Sequence, residues 1–150
     1  MDGIDRKILA LLQEDGRQKI TELAPRVQLS VSRCHRRLRE LENAGVIKGY
    51  RAIIDASSVG LGFEVLVFVT MSQEDRKTLT KFDAAVAAIP NVVHAQRLFG
   101  DPDYLLRVVT ADLASYQRLY MEHLAELPGV QRLNSTIVME QVVEPRPLPA

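Results

Sequence analysis

From Phe63 to Val143 the spacing of apolar residues keeps switching period, and the order of those periods constrains the fold more than any other feature. Alternation at every second residue over Phe63 to Met71 predicts a strand, and spacings of three and four over Asp75 to Ile89 predict a helix. Strands follow at Val92 to Phe99 and Asp103 to Val109, parted by the turn residues Gly100, Asp101 and Pro102. A helix over Leu113 to Leu127 and a strand over Val130 to Val143 complete the series. The order β-α-β-β-α-β is that of a ferredoxin-like split sandwich, with two helices over one face of a four-stranded antiparallel sheet. In the first strand Phe63, Val65, Val67 and Val69 alternate with Glu64, Leu66, Phe68 and Thr70, so both faces carry apolar side chains. The face without helices needs a cover, and a symmetric second copy is the simplest one.

Upstream the pattern is helical. Ile4, Ile8, Leu11 and Leu12 mark a first helix over Asp2 to Glu14, stopped by Asp15-Gly16. Thr21 suits the N-cap of a short second helix ending at Val27, in which Pro25 costs a hydrogen bond. Ser30 caps a third helix to about Asn43, whose buried stripe reads Val31, Cys34, Leu38 and Leu41, and Gly45 fits the left-handed position behind it. Val46 to Ile54, rich in β-branched and aromatic residues, predicts a strand that leads into Gly60-Leu-Gly62. The expected organisation is α+β: a helix-turn-helix, winged-helix-like head over residues 1–50, a linker strand over 51–62, a ferredoxin-like domain over 63–143 and a flexible proline-rich tail over 144–150.

The overall net charge of zero conceals an asymmetry. Residues 1–62 hold 11 Lys and Arg against 8 Asp and Glu, and the remainder holds 8 against 11. The excess is concentrated on the third helix, where removal of the apolar stripe leaves Ser32, Arg33, His35, Arg36, Arg37, Arg39 and Glu40 for solvent or a partner. Arginine offers a planar fork of donors that pairs with guanine edges or with phosphate, and one helix fits a major groove of double-stranded DNA. A short helix and a tight turn ahead of such a helix place its N-terminal residues at base edges. Ser32, Arg33 and Arg36 are therefore the candidates for base readout together with His35, and Arg37, Arg39, Lys48 and Arg51 those for phosphate. The competing explanation is a solvated helix face steadied by pairs such as Arg36 with Glu40. Cys34 falls on the apolar stripe and reads as a small core residue.

Taken in order, Ile4-Asp5-Arg6-Lys7-Ile8-Leu9, Asp15-Gly16-Arg17, Leu29-Ser30-Val31-Ser32, Arg37-Leu38-Arg39-Glu40-Leu41-Glu42, Ala44-Gly45-Val46-Ile47, Gly49-Tyr50-Arg51-Ala52 and Gly100-Asp101-Pro102-Asp103-Tyr104-Leu105-Leu106 resemble the Lrp/AsnC (feast/famine) family of transcription regulators along nearly the whole chain. The resemblance implies a DNA-binding head, a homodimer with tetramers or octamers as its larger assemblies, and an amino acid or related metabolite bound between subunits. It also implies that the Gly100 turn builds the effector cleft. There Asp101 or Asp103 would accept the ammonium, the backbone near Gly100 and the Thr136 hydroxyl would meet the carboxylate, and Tyr104 would form a wall. Pro102 departs from a fully donating loop because it lacks an N–H.

Other functions find less support. Siroheme decarboxylases are similar in architecture, but the second domain offers only His94, His123 and Arg97 for a tetrapyrrole, without a clustered motif. No nucleophile elbow or metal-ligand spacing occurs, so neither an enzyme nor a cofactor is expected. His94 and Met139, placed on strands, read as packing or surface residues. A metabolite-binding module whose N-terminal helices serve only protein contacts is the third reading, and the arginine-dense helix argues against it. With no apolar run of about 18 residues and no leader-like start, a cytoplasmic protein without membrane attachment is expected.

Overall fold

A computed structural model describes residues 1–149 and divides into two compact units, one of residues 1–53 with the segment from Val142 onward, the other of residues 54–141. No helix among the described residues is long and apolar enough to cross a membrane.

The first unit contains α1 (Gly3–Glu14), α2 (Ile20–Arg26) and α3 (Val31–Asn43). Asp2 and Asp5 cap the start of α1 reciprocally, a capping box that satisfies N–H groups a helix otherwise leaves unpaired. α2 begins one residue before Thr21, because Glu22 reaches back to the N–H of Lys19 (3.3 Å) and makes Lys19 the cap. Its end forms the turn of the helix-turn-helix. The N–H of Leu29 bonds to the Ala24 carbonyl (3.0 Å) and that of Gln28 to the Pro25 carbonyl (3.1 Å), with Gln28 left-handed at φ 58°. This is a Schellman ending, and the position favours glycine because a Cβ crowds the following carbonyl there. Ser30 caps α3 by accepting the N–H of Arg33, and Gly45 takes φ 73° beyond its end, both as expected. Ile8, Leu23, Ala24, Val27, Cys34 and Leu41 form the core of the unit. Val31, expected on the buried stripe, is instead exposed, since it opens α3 ahead of the first packed turn.

Two segments of this unit depart from expectation. Residues 48–53 form no strand, since a ladder needs a neighbouring strand and the head contains only helices among its regular elements. The proline-rich tail has no regular structure, yet it is not unattached. The Gln13 side-chain amide donates to the Leu148 carbonyl (3.2 Å) and accepts the Leu148 N–H (2.7 Å), beside a groove of about 660 Å³ lined by Leu9, Leu12, Val46 and Ile53.

The second unit contains β1 (Phe63–Met71), α4 (Arg76–Ala87), β2 (Val92–Arg97), β3 (Tyr104–Thr110), α5 (Leu113–Glu122) and β4 (Val130–Ile137). The sheet order is β2-β3-β1-β4 with every neighbour antiparallel, which is the split sandwich the periods predicted. A short 3-10 turn, Ser57–Val59, precedes β1 where a linker strand was expected. β4 stops at Ile137, so Met139 lies beyond the strand, almost wholly exposed. Val65, Val67 and Val69 are fully buried under the helices with Phe82, Leu106, Val108 and Leu124, and the rings of Phe82 and Tyr104 are 4.3 Å apart. Leu66 and Phe68 occupy the opposite face and are half-buried.

Two outcomes follow for equilibrium urea denaturation. Phe82→Ala lowers stability by about 3–5 kcal/mol through a cavity beneath the helices. Gln28→Gly raises it by about 1 kcal/mol through relief of the left-handed residue.

Candidate nucleic-acid interface and effector cleft

On α3 the side opposite the buried Cys34 and Leu41 carries Ser32, Arg36, Arg39 and Asn43, at spacings of four, three and four that stack on one helical face. All four are exposed. Arg33 and His35, also exposed, flank this face on either side. Arg36 does meet Glu40 as an i,i+4 pair, but at 3.8 Å with side chains 72% and 68% exposed. Such a surface pair contributes less than about 1 kcal/mol and yields readily to another anion. Lys48 and Arg51 are exposed on the irregular segment that follows α3. The Tyr50 hydroxyl between them donates to Glu42 (3.0 Å), which ties this segment to the end of α3. Partial burial and the Glu42 carboxylate push the Tyr50 phenol up to about 12.

Arg37 stands apart from the other arginines. Its guanidinium meets Asp2 (2.7 Å) and Asp5 (2.9 Å), and its side chain is only 25% exposed. Hydrogen bonds to Asp2 and then Asp5 push its pKa up; Asp2 is held below its usual value by the Asp5 N–H and then by Arg37. The expected phosphate role for Arg37 therefore conflicts with an engagement inside the head. Cys34 is fully buried, and that burial raises its thiol pKa, as befits a core residue.

In the second unit the expected effector residues separate. Gly100 adopts φ 149°, a conformation side chains disfavour, and turns the chain into Asp101. Asp101 and Pro102 line a cleft of about 330 Å³ with Phe68 and Thr70 of β1 and Arg132 and Asn134 of β4. Asp103 is committed elsewhere: its carboxylate accepts the Met71 N–H (2.7 Å), its N–H donates to Val69 (2.8 Å) and its carbonyl accepts from Leu98 (2.7 Å). It braces the β2–β3 hairpin against β1, and through a hydrogen bond and like charge it raises the pKa of Glu74. Tyr104 lies on the helix-covered face, 3% exposed, donating to Asp83 (2.7 Å) and accepting from Arg97 Nε (2.9 Å). It is a core residue rather than a cleft wall. Thr136, opposite Leu66, is on the open face but does not line the cleft.

Arg132 and Asn134 went unnoticed in the sequence. Their signal was strand register: opposite Thr70 and Phe68 they share the open face. A larger concavity of about 630 Å³ lies between α4 and the edge strand β2, but Asp83, Arg97 and Tyr104 along it already satisfy one another. The smaller cleft, with a carboxylate and a guanidinium on one surface, is the better match for a zwitterion.

Residues 1–48 match the family model described as winged helix-turn-helix DNA-binding, and residues 64–148 match that of the Lrp/AsnC ligand binding domain. The chain is 39% identical to the leucine-responsive regulatory protein of Rhizobium meliloti, covering 95% of this chain and 91% of that protein. It is 34% identical to the DNA-binding transcriptional activator DecR of Escherichia coli, over 99% and 98%. Among solved structures, a transcriptional regulator of Neisseria meningitidis in complex with L-Met superposes with a TM-score of 0.93 at 35% identity, covering 99% of this chain and 96% of that one.

Asp103→Ala is expected to loosen the hairpin and lower the denaturation midpoint, because the buried-side Met71 N–H loses its acceptor. Asp101→Ala, lining the cleft, is expected to change the unfolding free energy by no more than about 0.5 kcal/mol.

Proposed function

Because the chain belongs to the Lrp/AsnC family of transcription regulators, we propose that it reads DNA with the Ser32, Arg36 and Arg39 face of α3 and responds to an amino acid held in the Asp101–Arg132 cleft. The observation that carries the DNA reading is the set of exposed arginines opposite the buried stripe of a capped helix, with only weak surface pairing to displace. Ser32, Arg33 and Arg36, near the start of α3, are suited to base edges, with His35 beside them. Arg39, Lys48 and Arg51, farther along, are suited to phosphates.

For the effector, Asp101 supplies an acceptor for the ammonium and Arg132 a fork for the carboxylate, while Thr70 and Asn134 add polar partners and Phe68 an apolar wall. The solved relative bound to L-Met supports an effector of this class. The cleft opens on the sheet face without helices, where Leu66, Phe68 and Leu105 remain only half-buried. A second copy covering this face would form a homodimer, with tetramers or octamers built from it, and would close the cleft. Two α3 helices in one dimer would then enter successive major grooves about 34 Å apart on a pseudo-palindromic operator. Effector and DNA must alter each other's affinity by the same factor.

The test is a salt series of binding to the protein's own upstream DNA, with and without a panel of amino acids. Affinity falls steeply with salt, and Arg39→Ala reduces the log-log slope by about 0.9. Arg36→Ala costs about 1–3 kcal/mol and relaxes base preference. Calorimetry with the amino acid that shifts DNA binding shows at least tenfold weaker binding for Arg132→Ala and Asp101→Asn, on the order of 1.4 kcal/mol. Absence of salt-dependent DNA binding would overturn the first assignment, and undiminished effector binding in both cleft variants would overturn the second.

A further inference from the structure

The pairing of Arg37 with the start of α1 has a specific bonding pattern. Asp2 Oδ2 and Asp5 Oδ1 accept from the same guanidinium nitrogen. Each carboxylate spends its other oxygen on the N-terminus of α1: Asp2 Oδ1 accepts the N–H of Ile4 (2.9 Å) and of Asp5 (3.0 Å), and Asp5 Oδ2 accepts the N–H of Asp2 (3.0 Å). A helix cap and a salt bridge thus share two side chains. Asp5, at 16% exposed, is the best shielded of the three.

We propose that Asp2, Arg37 and Asp5 form a charged latch that sets the rotation of α3 about its own axis, making Arg37 a positioning residue for DNA recognition rather than a phosphate ligand. The inference rests on the reading of α3 as the DNA-contacting helix. Beneath α3 the core is built from Ile8, Leu23, Ala24 and Val27, against which α3 sets Cys34 and Leu41, and apolar contact has no preferred direction. Such packing resists lifting the helix more than rolling it. Charged hydrogen bonds are directional, and Arg37 lies between Cys34 and Leu41 on the flank of α3, away from the Ser32, Arg36 and Arg39 face. A roll of about 20° would move a side chain at the ~5–6 Å helix radius by about 2 Å, enough to lose a hydrogen bond to a base edge. The alternative, in which Arg37 turns to a phosphate, would strand two carboxylates and weaken the α1 cap.

The two roles make opposite predictions for one near-isosteric change. Asp5→Asn removes a negative charge from the DNA-binding head, so Coulomb attraction alone would tighten DNA binding. With the latch, the same variant weakens operator binding by about tenfold while non-specific binding changes little. Arg37→Lys keeps the cation but cannot bridge both carboxylates with the same geometry, so it also loses operator affinity. Its salt slope stays that of the parent protein, whereas loss of a phosphate contact in Arg37→Ala would reduce the slope by about 0.9.

These measurements use the full chain, with circular dichroism taken at the binding temperature. If Arg37→Ala loses its fold, the inference is decided on Asp5→Asn and Arg37→Lys. Operator binding unchanged or tighter in Asp5→Asn, or full affinity in Arg37→Lys, overturns the latch. Arg39→Ala separates this from failure of the underlying reading: if it leaves affinity and slope intact, α3 is not the DNA helix. If it weakens binding while Asp5→Asn does not, only the latch fails.

Discussion

β1 is paired on both sides, to β3 and to β4, and its alternation splits the second unit into a sealed face and an open one. Val65, Val67 and Val69 have no exposed surface, and each such side chain contributes about 1.5–3 kcal/mol on burial. The same strand places Phe68 and Thr70 on the other face, where they help to line the cleft. The sealed core and the lining of the cleft are therefore coupled by register. A slip of one residue would bring Phe68 into the core and turn a valine toward the cleft.

The head obeys a related rule with the helical period. Cys34 and Leu41 keep α3 on the core, and the arginines at the complementary spacing are exposed because the stripe is narrow. The left-handed Gln28 ends α2 and starts the turn that redirects the chain into α3. Arg37 is the one arginine of the cluster drawn inward, by carboxylates on another helix. The exposed arginines and the one held by carboxylates thus occupy different sides of the same helix.

Local features were legible in the chain. Ser30 caps α3, Gly45 takes a positive φ, and the β-α-β-β-α-β order follows from periods that depend only on neighbouring residues. The strand expected over Val46 to Ile54 does not form, because a strand needs a partner that a run of residues cannot announce. The cleft was half legible. Gly100 and Asp101 stood out as turn residues, while Arg132 and Asn134 are ordinary polar residues on a strand until pairing sets them beside Phe68 and Thr70.

What the amino-acid sequence determined by itself was the class of fold, the order of the helices and most of the strands, and the surplus of arginine on one helix face. Those properties come from backbone sterics, capping and amphipathic period, all set within a few residues. Only the tertiary structure decided which side chains come together: Asp101 and Arg132 along one cleft, Asp103 with Met71, Tyr104 with Asp83 and Arg97, Arg37 with Asp2 and Asp5. In each case the partners lie 21 to 35 residues apart or on another strand. Hydrogen bonds and ion pairs form only at contact distance, and contact between such residues is made by packing rather than by sequence spacing.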